Sequence, residues 1–284
     1  MTTAEPLGLP GPALLFCPAD RPDRYAKALA VADAVILDLE DGTSADRKDA
    51  AREALLATPL DPSRVIVRVN AVGTAGHEAD VAALRQTSYR MVMLPKAETS
   101  AQFDHLDDRW QVIALCETPA GILNAAQIAA LPSVTAVMWG AEDLIASIGG
   151  RSSRHQGGRY RDVARHARSV TLLAAAASGK AAIDSVYTDI PDTTGLTAEA
   201  QDAAASGFAA KACIHPSQAA VVQSAFQPDE AQVAWARRVL DVVRASGAQQ
   251  ASGAIKVDGQ MIDAPLVRQA EAILAGVRGA SGVA

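Results

Sequence analysis

The sequence predicts a (β/α)8 barrel of the TIM type with a C-terminal helix–hairpin–helix extension. Two observations predict it. Eight short apolar runs alternate with helix-like segments over about 200 residues. Run after run also closes on a charged residue, as in Ala34-Val-Ile-Leu-Asp-Leu-Glu-Asp41, Met91-Val-Met-Leu-Pro-Lys96 and Val112-Ile-Ala-Leu-Cys-Glu117. Short apolar runs bounded in this way read as parallel strands buried on both faces. A charge at the carboxyl end of one strand is ordinary. The same placement on five strands marks a site, because a closed parallel barrel gathers those ends on one face.

The elements follow in order. Residues 14–18 form the first strand and 24–31 a helix; 34–41 and 45–57 are the second pair. Strand 65–70 precedes helix 78–86, strand 91–96 precedes helix 100–106, and strand 112–117 precedes helix 122–130. Strand 134–140 is followed by a polar Gly-, Ser- and Arg-rich segment, 151–161, which reads as a mobile loop and a candidate lid. Helix 162–178, strand 181–187, helix 197–206 and strand 211–215 complete the barrel, placed within residues 1–225. Residues 226–284 are left over: helix 231–245, a hairpin over 254–261 around Asp258-Gly259, and helix 265–277, a tail suited to covering a neighbouring subunit's site or its own. An open doubly wound sheet is the competing fold. It usually carries a glycine-rich first turn, whereas the turn here is Cys17-Pro-Ala-Asp-Arg-Pro22.

Composition narrows the function. The formal charge of −6 comes from interspersed acids and bases, so no basic stripe points to nucleic acid. No stretch approaches the ~20 apolar residues of a membrane span, and residues 1–12 contain no basic residue of the kind that opens a signal peptide, so a cytoplasmic location is expected. Cys17, Cys116 and Cys213 lie in strand runs without metal-ligand spacing and read as buried free thiols.

The candidate chemistry sits at the strand ends. Glu117 and Asp143 end adjacent strands, and two carboxylates with positions left for water and substrate are what Mg²⁺ prefers. They could instead act as general acid and base without metal, or pair with Lys96 or Arg68. Arg68 suits a substrate carboxylate through its forked guanidinium, or an ion pair with Glu40 or Asp41. Alternation puts Asp38 and Glu40 on one face and turns Asp41 elsewhere; the three could hold metal-bound waters, or cap the next helix. Lys96 could form a Schiff base, though nearby carboxylates would keep it charged. His215, before Pro216, shapes the last strand end, and Arg151, Arg154, Arg159 and Arg161 with Gly149-Gly150 could meet phosphates.

These residues fall into an ordered series of segments: Leu15-Phe-Cys-Pro-Ala-Asp-Arg-Pro22, Asp38-Leu-Glu-Asp-Gly42, Val67-Arg-Val-Asn70, Leu94-Pro-Lys96, Ala114-Leu-Cys-Glu-Thr118, Gly140-Ala-Glu-Asp-Leu144, Ala182-Ile-Asp184, Cys213-Ile-His-Pro-Ser-Gln218 and Gly259-Gln-Met-Ile-Asp-Ala-Pro265. The series resembles the citrate lyase β-subunit-like proteins of the aldolase/citrate lyase group, which includes malyl-CoA and citramalyl-CoA lyases. The resemblance implies a barrel, a homotrimer, and Mg²⁺ held by Glu117 and Asp143. It implies that Arg68 binds the substrate carboxylate, with Glu40 and Asp41 around the metal waters. It makes Asp263 an acid/base that reaches a neighbouring subunit's site, which supplies a role for the tail. The chemistry it implies is Mg²⁺-dependent C–C cleavage of a short 3-hydroxyacyl-CoA, citramalyl-CoA first and malyl-CoA next, to acetyl-CoA and pyruvate or glyoxylate. In that reaction strand-end amides around Gly140 to Asp143, those of Ala141 and Glu142 among them, also bind the carboxylate. A malyl-CoA thioesterase or malate synthase-like enzyme, a citrate lyase complex subunit acting on a carrier-bound citryl thioester, and a non-catalytic binding module are the rivals.

Overall fold

A computed structural model describes residues 8–245, 255–257 and 260–280 of the chain. Eight strands, β1 (Ala13–Pro18), β2 (Ala34–Asp38), β3 (Val65–Arg68), β4 (Met91–Leu94), β5 (Gln111–Cys116), β6 (Val134–Trp139), β7 (Ala181–Asp184) and β8 (Ala210–Cys213), pair in parallel in sequence order. β8 returns to β1 through Ala13↔Lys211 and Leu15↔Cys213, which closes the barrel and rules out the open sheet.

The strands alternate as their sequences require. Leu14, Ala34, Ile36, Ile66, Met91, Met93, Ile113, Leu115, Ala136, Met138 and Ile183 share one buried cluster, the side chains that fill the barrel. Two residues further along six of the strands, the same face presents Phe16, Asp38, Arg68, Glu117, Gly140 and Ser185. The filling of the barrel therefore changes from aliphatic to charged at its carboxyl end. All three cysteines are buried and free, and burial pushes their thiols up to about 11 for Cys17 and about 12 for Cys116 and Cys213.

The helices that follow the barrel strands are α1 (Pro22–Leu29), α2 (Lys48–Ala57), α3 (Ala75–Leu84), α4 (Pro119–Leu123), α5 (Ala125–Ala129), α6 (Ala141–Ser147), α7 (Asp162–Ala177), α8 (Thr193–Ser206) and α9 (Pro216–Phe226), the last of which runs across the boundary between the two units. Three departures from the sequence reading have local causes. Residues 100–106 form only a 3-10 turn, Ser100–Phe103, closed by a Thr99/Gln102 capping box. The helix expected over 122–130 divides at Asn124, whose Nδ2 donates to the Glu98 carbonyl at 2.8 Å. Helix α6 starts directly after β6 and takes in residues read as a strand end.

The chain forms two compact units that divide between Gln223 and Ser224. The second contains α10 (Glu230–Ala245), an antiparallel pair of β9 (Ile255–Val257) and β10 (Gln260–Ile262), and α11 (Ala264–Ala280). Its own core is Ala236, Val239, Ile262 and Ala270. The turn Asp258-Gly259 lies outside the described residues. Among the described residues no helix is long and apolar enough to cross a membrane.

Candidate active site

A pocket of about 380 Å³ opens at the carboxyl mouth of the barrel, lined by Phe16, Asp38, Asp41, Arg68, Glu117, Gly140, Ala141, Glu142, Asp143 and Ser185. Most of these are the residues that continue the inward face of the strands. The pocket brings together Glu117, Asp143, Arg68, Asp41, Ala141 and Glu142 of the expected site.

Glu117 stands just beyond β5 and is 2% exposed. Its Oε1 accepts the Lys96 main-chain N–H at 3.1 Å. Burial, then the charges of Asp143 and Glu40, push its carboxyl up to about 8, although Arg68 and Lys96 pull the other way. Asp143 does not end a strand as expected. It is half-buried in the first turn of α6, because the helix begins at Ala141 with no intervening loop. That placement sets the Asp143 carboxylate at the positive end of a helix, while the amides of Glu142 and Asp143 have no acceptor within the helix.

Arg68 is bound more fully than the sequence suggested. Its Nε and Nη2 donate to Asp38 Oδ1 and Oδ2 at 2.8 and 2.6 Å, and its Nη1 lies 2.9 Å from Glu40 Oε2. Burial opposes the charge of the guanidinium, yet its hydrogen bond to Asp38 and the neighbouring acids raise its pKa further. Asp38 was missed as the partner, although it ends the adjacent strand and pairs in register with Arg68. Phe16 lies under the guanidinium, 4.9 Å from ring centre to Cζ.

Glu40 is buried and Asp41 exposed, the division that alternation required. Glu40 Oε1 accepts from Lys96 Nζ at 2.6 Å, and Oε2 is buried without a hydrogen-bond partner. Burial raises Glu40's pKa against the pull of Arg68 and Lys96. Lys96, paired in this way, has its pKa raised despite burial, which favours the charged ammonium over the neutral amine that a Schiff base needs.

Two expectations are corrected. The Ala141 amide is not free for substrate, because it donates to Ser185 Oγ at 3.1 Å. The Glu142 side chain is exposed and its Oε1 accepts from Ser153 Oγ at 2.6 Å, which leaves the expectation for its main-chain amide as it stood. Segment 151–161 is not a loose lid: Arg154 and Tyr160 form a β-bridge, and Arg154 Nη1 and Nη2 donate to Glu199 at 2.5 and 3.0 Å. Arg154 also stacks on Tyr160 and Tyr187 at 3.7 and 4.7 Å, so it is not a phosphate ligand in waiting. Asp263 belongs to the second unit. It is exposed, and its Oδ1 accepts the Leu266 N–H at 3.4 Å as α11 begins.

Among the described residues no cluster of three or more His, Cys, Asp or Glu could hold a metal by itself. The Glu117–Asp143 pair nevertheless fits Mg²⁺, which takes one or two protein carboxylates and fills the rest with water and substrate oxygens. The raised Glu117 carboxyl is what a buried acid beside other carboxylates shows without a counter-cation, and Glu40 Oε2, ion-paired with Arg68 at 2.9 Å, accepts no hydrogen bond and keeps lone-pair capacity for a metal-bound water.

A closed parallel barrel with paired acids and a buried arginine at its carboxyl mouth has the architecture of a TIM-barrel enzyme with its active site at that mouth. The family model described as HpcH/HpaI aldolase/citrate lyase matches residues 13–216. The chain belongs to the HpcH/HpaI aldolase/citrate lyase family and is a carbon–carbon lyase. It is 55% identical over 264 residues to the citrate lyase subunit beta-like protein of Mycobacterium tuberculosis, covering 93% of this chain and 94% of that one. It is 32% identical over 292 residues to the mitochondrial citramalyl-CoA lyase of Homo sapiens, covering 93% and 84%. The crystal structure of protein CitE from Mycobacterium tuberculosis in complex with magnesium, acetoacetate and coenzyme A matches with a TM-score of 0.87 at 54% identity, covering 94% of this chain and 98% of that one.

Proposed function

We propose that this chain is a Mg²⁺-dependent lyase that cleaves a short 3-hydroxyacyl-CoA to acetyl-CoA and a 2-oxo acid, with citramalyl-CoA, giving pyruvate, favoured and malyl-CoA, giving glyoxylate, next. The observation that carries this reading is one mouth pocket shared by Glu117, Asp143 and Arg68. The relatives support it: one is a citramalyl-CoA lyase, and another was crystallised with magnesium, a small oxo acid and coenzyme A.

Cleavage of the C–C bond needs a base for the hydroxyl proton, a polarised oxygen that becomes the ketone, and a proton for the leaving thioester enolate. Glu117 and Asp143 would hold magnesium, which supplies Lewis-acid polarisation when bound. Arg68, locked by Asp38, orients the substrate carboxylate through Nη1 without moving. Asp41, exposed at the pocket edge, and Glu40, tied to Lys96, arrange water around the acid pair. Asp263 moves the proton, delivered by the C-terminal unit of a neighbouring copy in a homotrimer. A cytoplasmic location belongs to the same reading.

The test is release of pyruvate and glyoxylate from citramalyl-CoA and malyl-CoA, with Mg²⁺ and with chelator, by wild type and Asp263→Ala. Metal-dependent release that is lost in the variant is the expected result. Free CoA without a 2-oxo acid would assign a thioesterase instead. Activity only on a carrier-bound citryl thioester would make the chain a complex subunit.

A further inference from the structure

Among the described residues, Lys96 is the non-glycine residue with a left-handed backbone, φ +49°. L-residues rarely adopt that conformation, and where one does the surroundings must hold it there. Here the Lys96 carbonyl accepts from Gln102 Nε2 at 3.2 Å, and the next amide, that of Ala97, donates to the Leu115 carbonyl at 3.0 Å. The ammonium donates to Glu40 Oε1 at 2.6 Å, and the main-chain N–H donates to Glu117 Oε1 at 3.1 Å.

The opposite side of the Glu117 carboxylate is cleared by a missing side chain. A Cβ on Gly140 would stand 2.7 Å from Glu117 Cβ and 2.8 Å from Oε2. The two oxygens therefore differ. Oε1 is tied to the Lys96 amide, whereas Oε2 has no hydrogen-bond partner among the described residues and occupies the space Gly140 leaves.

We propose that Lys96 is a positioning residue for the metal-binding acid: its left-handed backbone aims a main-chain N–H at Glu117 Oε1 and so presents Oε2 to the cation, with the ammonium on Glu40 as the anchor that keeps residue 96 in that conformation. This rests on the assignment of Glu117 as a magnesium ligand. A carboxylate already held in one orientation loses less freedom when the ion binds. The side chain matters to the metal through the backbone it anchors, and that separates this role from a purely electrostatic one.

The experiment is calorimetric titration of Mn²⁺, which like Mg²⁺ takes oxygen ligands, into metal-free wild type, Lys96→Gly, Lys96→Met and Glu117→Gln. Both Lys96 variants lose the ammonium, so the charge effect cancels between them. Glycine occupies the left-handed region at no cost and keeps the amide on Glu117, whereas methionine without its anchor relaxes away. Lys96→Gly is expected to bind Mn²⁺ tighter than Lys96→Met by on the order of fivefold. Equal affinities, or the reverse order, overturn the inference. Glu117→Gln tests the underlying assignment: if it binds as wild type does, Glu117 is not a ligand and the metal site itself is misread. Lys96→Ala repeats the comparison should the methionine variant fail to fold.

Discussion

Arg68 serves two demands that a lysine could not meet together. Its fork is matched in full by the Asp38 carboxylate, and Nη1 remains at the pocket beside Glu40. The pair is buried on both sides, with side-chain exposures of 9% and 4%, so breaking it leaves the Asp38 carboxylate with only the main-chain N–H groups of Glu40 and Gly42 and no counter-charge. Arg68→Met is accordingly expected to cost about 3 kcal/mol of folding stability, because the buried Asp38 carboxylate loses its counter-charge and keeps only two main-chain N–H donors. Urea unfolding measures it, and a loss under about 1 kcal/mol would mean that Asp38 finds water or another donor. Arg68→Lys keeps a charge opposite Asp38 but gives up the two-pronged geometry. Its kcat/KM for the CoA ester should drop about 100-fold or more while the fold survives, a separation of catalytic from structural effect that melting and kinetics read independently.

Among the elements, β7 and β8 carry a second set of charges, behind the mouth. Asp184 ends β7 fully buried and accepts from Trp139 Nε1, Arg168 and Lys211, while Lys211 on β8 also reaches Glu199 at 2.9 Å. Through Arg154 and Glu199 this network fixes segment 151–161, and through the neighbouring Ser185 it touches the first residue of α6, the helix that carries Asp143. Burial pushes the Asp184 carboxyl up, but the charges of Lys211 and Arg168 outweigh it and hold the pKa below the ordinary 3.8. A depressed folded pKa means stability that is complete above the unfolded value and is lost as pH falls through the folded one. Wild type should therefore show an acid limb beginning below about pH 4 that is shallower in Asp184→Asn, the variant being about 3 kcal/mol less stable near neutrality. Parallel limbs in pH-dependent urea melts would remove Asp184 as its source. What the sequence disclosed at this scale follows from period. Alternation of two carries the inward face from Ile36 to Asp38, from Ile66 to Arg68 and from Leu115 to Glu117, so the charged mouth could be read from short runs. Asp143 was misplaced because the one residue between β6 and α6, the N-cap Gly140, reads as the end of the strand rather than as the start of a helix. Segment 151–161 looked loose because the partner that orders it, Glu199, lies 45 residues away on α8.

For the whole molecule, the question is whether an aspartate in the second unit serves the mouth of a neighbouring copy, since its own chain builds that mouth entirely from residues of the first unit. Glu117 and Arg68 lie before the boundary at Gln223, whereas Asp263 follows it, exposed at the start of α11. If Asp263 completes a neighbouring copy's site, each site of a closed ring draws its acid pair from one chain and its proton carrier from the next. Two individually dead variants then repair each other. Glu117→Gln supplies Asp263 but no metal acid, and Asp263→Ala supplies the metal acid but no proton carrier. Denatured together in equal amounts and refolded, random mixing gives about a quarter of the sites both an intact Glu117 and an intact Asp263 from the adjacent chain. Activity should recover to about a quarter of wild type, from a background near zero for either variant refolded alone. If Asp263 acts within its own chain, every mixed site keeps one defect and no activity returns. Sedimentation of the refolded mixture shows whether a ring of copies has re-formed, and without one the assignment of Asp263 to a neighbour fails however the kinetics fall. The tail would then have to act in its own chain, and its length after α9 would be the quantity to vary next.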